Sequence, residues 1–130
     1  MRISLLVLGH PTSSHSAHTA LEFAKAALAQ KYHIHRVFFY HDAVYTADSL
    51  LTPGQDEPNI ALQWQAFGKA NEIDMVICIA SALKRGVINK NEAKRHNKQT
   101  HNLLEGFDLS GLGQFVDSTI RSDRIITFGC

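Results

Sequence analysis

The chain has 130 residues, of which 45% are hydrophobic and 19% charged, and its formal net charge is +1. This composition excludes disordered and fibrous proteins, and the length suffices for one domain with an ordinary hydrophobic core. No apolar run approaches the roughly 20 residues that a membrane-spanning helix requires. We therefore expect residues 1–130 to form a single globular domain.

The first nine residues are mostly apolar, and they predict a β-strand over Ile3–Leu8 rather than a signal peptide. The apolar core is short, a single cation precedes it, and His10-Pro11-Thr12 follows where a small-residue cleavage site would be expected. This segment therefore favours a cytoplasmic protein. The turn after it, Gly9–Ser14, lacks the spacing and the lysine of nucleotide-binding loops, so we expect no bound nucleotide.

Strands and helices are predicted to alternate along the rest of the chain. Apolar residues at helical spacing predict helices that begin near Ser13 or Ser14, at Asn59 and at Ser110, and a polar helix is predicted from Asn89 to about Lys98. Apolar or β-branched runs predict strands at Ile34–Tyr40, before and including Cys78, around Phe107 and at Arg124–Phe128. This alternation indicates an α/β fold with a mainly parallel sheet of about five strands and helices on both faces.

The apolar run Asp74–Ala80 indicates a strand buried on both faces, with Cys78 near its carboxyl end. Ligand and reaction sites of open α/β sheets collect at that edge. A helix beginning at Ala80 or Ser81 would place free N–H groups beside the thiol and favour the reactive thiolate. Cysteine is also among the most frequently buried residues, so an inert core thiol is the alternative.

The second cysteine, Cys130, is the last residue and lies 52 positions from Cys78. The two form no C-x-x-C pair, so we expect neither a disulfide framework nor a cysteine zinc site. We expect an exposed thiol at Cys130, and a resolving role for it stays open if the terminus folds back.

Six cations and a single acid, Glu92, lie between Lys84 and Lys98. Such a run is usually a solvated face, but it can also steer an acidic protein or a nucleic acid toward Cys78. Because the segment has no interleaved aromatic residues for stacking on RNA, protein docking is the preferred interpretation and direct nucleic-acid binding is not expected.

The chain has eight histidines, which raises the question of a metal site. His10, His15 and His18 lie close to the end of the first strand and His41 to the end of the second, so several can meet at one edge of the sheet. No carboxylate or thiol pattern completes a recognised ligand set, so we expect no metal. A histidine close in space can instead activate Cys78, and the sequence does not select one.

Three blocks of the chain resemble the DsrE/TusD family of sulfur-carrier proteins, most of all its TusD branch. They are Val37–Tyr40 with Val44–Ala47, then Ile77–Gly86, and finally Gly106–Gly113. The resemblance runs nearly end to end and implies a three-layer α/β/α fold. It also implies that the cysteine after the third strand, here Cys78, carries sulfane sulfur as a persulfide.

The resemblance further implies partners and a pathway. TusB-like and TusC-like subunits would complete a heterohexamer, a TusA-like carrier would donate the sulfur, and a TusE-like protein would accept it. The sulfur would finally enter 2-thiouridine at tRNA wobble positions. This chemistry requires no metal, nucleotide or flavin cofactor and no membrane.

Three alternatives stay open. A DsrE-type carrier in sulfur oxidation would use the same thiol chemistry. A non-catalytic scaffold subunit would use Cys78 only for packing. A different α/β enzyme would hold a small ligand between the turn after the first strand and Tyr40–Tyr45.

Overall fold

The computed structural model describes the whole chain, Met1–Cys130, as five strands and five α-helices. The strands are β1 (Arg2–Val7), β2 (His33–Phe39), β3 (Asp74–Cys78), β4 (Asp108–Ser110) and β5 (Arg124–Phe128). The helices are α1 (Ser16–Ala29), α2 (Ile60–Asn71), α3 (Ile79–Lys84), α4 (Lys90–Arg95) and α5 (Gly113–Arg121), and a 3₁₀ helix spans His41–Ala47. None of these helices combines the length and the apolar character needed to cross a membrane.

The five strands form one parallel sheet in the order β4-β3-β2-β1-β5. Strand β3 is therefore internal, and Cys78, its last residue, pairs in register with Ser110 of β4. Because all strands run in the same direction, the segments that follow β1, β2, β3 and β5 meet at one edge of the sheet. The predicted parallel α/β fold is confirmed, and Cys78 lies at the edge where such folds place their sites.

The two faces of the sheet are covered unequally. On one face, Leu5, Val37 and Ile77 belong to a large core shared with α1 and α2. Trp64 of α2 is fully buried in this core, and its indole N–H donates to the carbonyl of Ala17 at 2.9 Å. On the opposite face, a small cluster that contains Cys78 packs against Tyr40 and against Phe115, the one contribution from α5. The predicted third layer is therefore present, but it is thin on the side of the thiol.

Several predicted helix starts need correction. Ser110 does not cap α5: it belongs to β4, and Leu112 is the N-cap, without a side-chain hydrogen bond. Neither Ser13 nor Ser14 caps α1, because His15 holds that position, although the Ser14 hydroxyl accepts from the Ser16 N–H at 3.2 Å. The predicted caps at Asn59 and Asn89 are confirmed, since each amide oxygen accepts from a backbone N–H of the first turn.

The fourth strand was expected around Phe107 and instead begins at Asp108. Phe107 is buried against Phe39, with the ring centroids 5.8 Å apart, so its side chain fills the main core. The three residues after it complete the sheet beside β3. Packing of one aromatic ring thus displaces the start of the strand.

Candidate functional site

Cys78 stands at the junction of β3 and α3. It is the last residue of the strand and the N-cap of the helix, with an extended backbone (φ −61°, ψ 117°), and its side chain makes no capping hydrogen bond. The predicted position at the carboxyl end of a buried parallel strand is confirmed. The helix begins at Ile79, slightly earlier than expected, so it follows the cysteine without a loop.

The Cys78 residue is only 1% exposed. It forms a small apolar cluster with Phe38 and Val76, against which Tyr40 and Phe115 pack from the neighbouring β2 edge and from α5. Both of these rings are only partly buried. The thiol is therefore buried, as the alternative of a core thiol predicts, and the rings packed against its cluster are themselves in contact with solvent.

A set of polar contacts ties the start of the 3₁₀ helix to α3 beside the cysteine. The Arg85 Nε donates to Asp42 Oδ1 at 2.7 Å, and its Nη1 donates to the carbonyl of Ser81 at 3.2 Å. The Ser81 hydroxyl in turn accepts from the backbone N–H of His41 at 3.3 Å. The segments that follow β2 and β3 are therefore held together next to Cys78.

The same contacts change the expected electrostatics of the site. The hydrogen bond from Arg85 lowers the pKa of the Asp42 carboxyl below its usual value. Asp42 therefore stays ionised and offsets the charge of Arg85, one of the six cations between Lys84 and Lys98. Lys84 is exposed and forms no ion pair.

Helix α5, which packs on the thiol face, is fastened to the sheet by a buried arginine that is not among the predicted site residues. Arg36 of β2 donates to Asp74 Oδ2 at 2.7 Å, to Asp117 Oδ2 at 3.1 Å and to the carbonyl of Gln114 at 2.8 Å. Hydrogen bonds from Arg121 and Arg36 lower the pKa of Asp117. In the sequence, the arginine within the predicted buried strand β2 is the one feature that indicates a buried ion pair at this position.

Cys130 lines a different pocket at the same edge of the sheet. The pocket has a volume of about 670 Å³ and lies at the start of α1, where His10, His15 and Asp42 also line it. Cys130 is exposed, as expected. Because β2 and β1 separate β3 from β5, the strand that ends at Cys78 and the strand that precedes Cys130 are three strand spacings apart, on the order of 14 Å.

The histidines do not assemble a metal site with the neighbouring acids and cysteines, since no group of three or more such side chains could hold a metal ion. His10 instead stacks near Tyr45, with ring centroids 4.9 Å apart, and its Nδ1 accepts from the Thr12 N–H at 3.1 Å. His41 is exposed and contacts the Tyr40 ring at 4.2 Å between centroids. No histidine makes a hydrogen bond to Cys78.

The fold and the site define a small parallel α/β protein with a single cysteine at the carboxyl end of an internal strand. Comparison with family models gives a match to the DsrE/DsrF-like family over residues 1–128. The chain belongs to this family, which confirms the family predicted from the three sequence blocks.

Curated relatives cover the chain almost completely. It is 40% identical over 129 residues to a putative sulfurtransferase DsrE of Allochromatium vinosum, with 99% of both chains covered. It is 41% identical over 124 residues to a sulfurtransferase TusD homolog of Pseudomonas aeruginosa, with 95% of both chains covered. A sulfurtransferase TusD of an Enterobacter species is 39% identical over 128 residues, which cover 98% of this chain and 100% of that one.

The fold is similar to a solved structure, the ychN protein from E. coli. The TM-score is 0.75 at 23% sequence identity, and the match covers 98% of this chain and 99% of the other. This likeness supports the three-layer parallel fold.

Proposed function

We propose that this protein is a sulfurtransferase that accepts sulfane sulfur on Cys78 as a persulfide and passes it to an acceptor protein. The observation that carries the proposal is the position of Cys78, between an internal parallel strand and a helix start, in a chain about 40% identical to proteins named as sulfurtransferases. Thiolates are the nucleophiles of such exchange reactions, and a helix start favours a negative sulfur.

The transfer consists of two thiol exchanges. The Cys78 thiolate attacks the outer sulfur of a donor persulfide, a new S–S bond forms on Cys78, and the donor leaves as its thiolate. The acceptor thiolate then attacks the outer sulfur of the Cys78 persulfide, and Cys78 leaves with the electron pair as a thiolate. In each step one S–S bond forms and one breaks, with no net oxidation or reduction, so neither step requires a redox cofactor or a metal.

The burial of Cys78 sets a condition on both steps. In the first step the Cys78 sulfur must approach the donor's outer sulfur in line with the donor's S–S bond, and in the second step the acceptor sulfur must approach the outer sulfur on Cys78 in the same way. Tyr40 and Phe115 pack against the cluster that contains Cys78. Both rings are partly exposed, so displacement of one of them opens a path without breaking the main core. We propose that this displacement accompanies docking of the donor or acceptor protein.

We place this activity in the cytoplasmic relay that leads to 2-thiouridine at tRNA wobble positions. In this proposal, TusB-like and TusC-like subunits join the chain in a heterohexamer, a TusA-like protein is the donor and a TusE-like protein is the acceptor. Several relatives named as sulfurtransferase TusD or its homologs, at 39% to 41% identity, support this placement.

Two further functions have an observation in their favour. The similarity to the putative sulfurtransferase DsrE, 40% over 129 residues, favours a carrier in sulfur oxidation that uses the same cysteine. The 1% exposure of Cys78 favours a scaffold subunit in which the thiol only packs. Sulfur loading separates the scaffold from both carriers, and transfer to a TusE-like acceptor favours the tRNA relay over sulfur oxidation.

The test is mass spectrometry of the intact protein and its peptides after incubation with a polysulfide donor, for the native chain, Cys78→Ser and Cys130→Ser. We expect a gain of one sulfur atom at Cys78 that a reductant removes and that persists in Cys130→Ser. Loading of Cys130 alone, or no loading of Cys78 under conditions that load exposed thiols of a control protein, would exclude the carrier and favour the scaffold. The assembled complex should be tested in the same way.

A further inference from the structure

We propose that the groove between α3 and α4 is the docking surface for an acidic, leucine-containing segment of a partner protein, which presents the partner's thiol to Cys78. The proposal concerns how the partner is recognised. It rests on the proposed function only in that sulfur transfer is the reason for a partner to dock there. The groove and its charges are features of this chain that can be tested without any sulfur transfer.

The groove has a volume of about 290 Å³ and is lined by Leu83, Ile88, His96 and Lys98. Leu83 and Ile88 are partly buried and supply an apolar floor. The segment is held in place by Asn102, whose Oδ1 accepts from the Ile88 N–H at 2.9 Å and whose amide donates to Asp48 at 3.0 Å. A partner therefore meets an ordered surface, which lowers the entropic cost of binding.

The segment that forms the groove, from Leu83 to Lys98, is strongly positive, and Lys98 lines the groove itself. Four lysines of the segment are exposed and take part in no ion pair: Lys84, Lys90, Lys94 and Lys98. The only acid between Ile79 and Leu104 is Glu92, which is buried and lies 3.6 Å from Arg95 and 3.4 Å from His96. The lysine charges are therefore uncompensated within the chain, and a complementary surface must be acidic.

The chemistry of the groove favours a protein over a nucleic acid. The segment from Ile79 to Gly106 contains no phenylalanine, tyrosine or tryptophan, so it offers no platform on which bases can stack. The exposed apolar atoms belong to Leu83 and Ile88, which suit an aliphatic side chain. An acidic segment with a leucine satisfies both the charge and the apolar floor.

The groove is close enough to the thiol for one partner segment to engage both. Helix α3 has six residues and begins directly after Cys78, so its far end is about 9 Å away. Roughly three residues of extended chain span that distance. Ala80, near the start of α3, is exposed, so the path along the helix is open to solvent.

The first test measures binding without any reaction at the thiol. Three fluorescein-labelled peptides of equal length combine leucine with glutamate, glutamine or lysine, and fluorescence anisotropy reports their affinity for the Cys130→Ser chain. We expect the glutamate peptide to bind at least about tenfold more tightly than the glutamine peptide at low salt, with the advantage shrinking at high salt. The lysine peptide should not bind.

A pair of matched double variants assigns this preference to the groove. Lys84→Glu with Lys98→Glu reverses the charge of Lys98, which lines the groove, and of Lys84, which follows the lining residue Leu83, and we expect it to abolish the preference for the glutamate peptide. Lys31→Glu with Lys69→Glu makes the same change in net charge at exposed lysines that precede β2 and β3, and we expect it to keep the preference. Equal loss in both variants, or no loss in the first, would overturn the assignment.

A second readout connects the groove to the thiol. Each peptide carries a terminal cysteine as a mixed disulfide with thiopyridine and is mixed with the Cys130→Ser chain, in which Cys78 is the only thiol. The Cys78 thiolate attacks the peptide sulfur, forms the new S–S bond and releases thiopyridone, which is followed by absorbance. The glutamate peptide should react faster by a factor similar to its binding advantage. A 20-nucleotide RNA that binds more tightly than this peptide, and loses affinity in Lys84→Glu with Lys98→Glu, would assign the groove to nucleic acid instead.

Sulfur loading from polysulfide separates this proposal from the function on which it rests. We expect both double variants to load Cys78 as the native chain does, because polysulfide does not need the docking surface. A chain that loads Cys78 but shows no charge preference among peptides retains the proposed function and loses the docking surface. A chain that binds the glutamate peptide selectively but never loads Cys78 retains the docking surface and loses the proposed function.

Discussion

At the scale of single residues, Arg36 decides whether the layer over the thiol stays in place. It is 8% exposed and makes hydrogen bonds to Asp74 in β3 and to three groups of α5. The acids it contacts are considerably more exposed than the arginine itself, since the Asp74 and Asp117 side chains are 40% and 36% exposed. The anchor is thus a buried cation held by acids at the surface.

We expect Arg36→Gln to lower the free energy of unfolding by about 2 kcal/mol, because charged hydrogen bonds are lost while the acids regain water. Urea unfolding followed by circular dichroism measures this change. Arg121→Gln is the matched control, since Arg121 contacts Asp117 from the exposed side at 2.8 Å and should cost much less. Equal losses in the two variants would show that burial of the arginine does not matter.

His35, next to this anchor, makes the stability of the protein depend on pH. Burial, followed by the charge of Arg36, lowers its pKa from 6.5, and its Nε2 has no hydrogen-bond partner. As the pH falls, the unfolded chain therefore binds a proton at His35 at a higher pH than the folded chain does. The contribution of neutral His35 to the free energy of unfolding is complete above pH 6.5 and is lost as the pH falls below it. We expect the urea midpoint of His35→Gln to change less between pH 8 and pH 5 than that of the native chain. An equal change of the midpoint in both proteins would contradict this.

At the scale of secondary-structure elements, α5 is packed with its polar contacts inward and much of its apolar surface outward. Arg36 binds its inner side, whereas Leu112, Val116 and Ile120 are 50%, 55% and 78% exposed. The apolar contribution to the inner side comes from Phe115, which stacks on Phe38 with the ring centroids 5.6 Å apart. The cover over the Cys78 cluster therefore depends on a single aromatic side chain of this helix.

We expect Phe115→Ala to accelerate alkylation of Cys78 by iodoacetamide severalfold in the Cys130→Ser chain, because it removes part of the layer over the thiol. Val116→Ala is the matched control, since this side chain points outward and its loss leaves the cover intact. Peptide mass spectrometry gives the rate at Cys78 for each variant. Equal rates in Phe115→Ala and Val116→Ala would show that Phe115 does not limit access.

The sequence predicts the elements better than it predicts their contacts. The apolar runs of β1, β2 and β3 and the cap at Asn59 are local signals, and the predicted elements are present. The pair formed by Asp42 and Arg85 joins residues 43 positions apart, so no local pattern indicates it. The packing of Phe115 against the cluster that contains Cys78 likewise joins residues of distant elements, α5 and the sheet.

At the scale of the whole molecule, the strand order keeps the two cysteines apart. With β2 and β1 between them, β3 and β5 are on the order of 14 Å apart, whereas a disulfide tolerates roughly 7 Å between Cα atoms, so the two residues after β5 would have to fold back across the sheet. Cys130 is exposed and Cys78 is buried, so the two thiols also differ in access to oxidants. The fold therefore disfavours a resolving role for Cys130 within the same chain.

We expect mild oxidation with diamide to give disulfide-linked dimers through Cys130 and no internal disulfide. Non-reducing electrophoresis should show these dimers for the native chain and for Cys78→Ser, and should show none for Cys130→Ser. A compact monomer with a Cys78 to Cys130 linkage, identified by peptide mapping, would mean that the terminus folds across β1 and β2.

The position of β1 also has a consequence for the order of events during synthesis. β1 precedes the other four strands along the chain, yet one of its two neighbours is β5, which follows them all. The backbone N–H and C=O groups on that side of β1 therefore remain unpaired until β5 has been synthesised. A growing polypeptide of this protein carries an exposed, aggregation-prone strand edge, and a truncation that removes Arg124–Phe128 makes that exposure permanent.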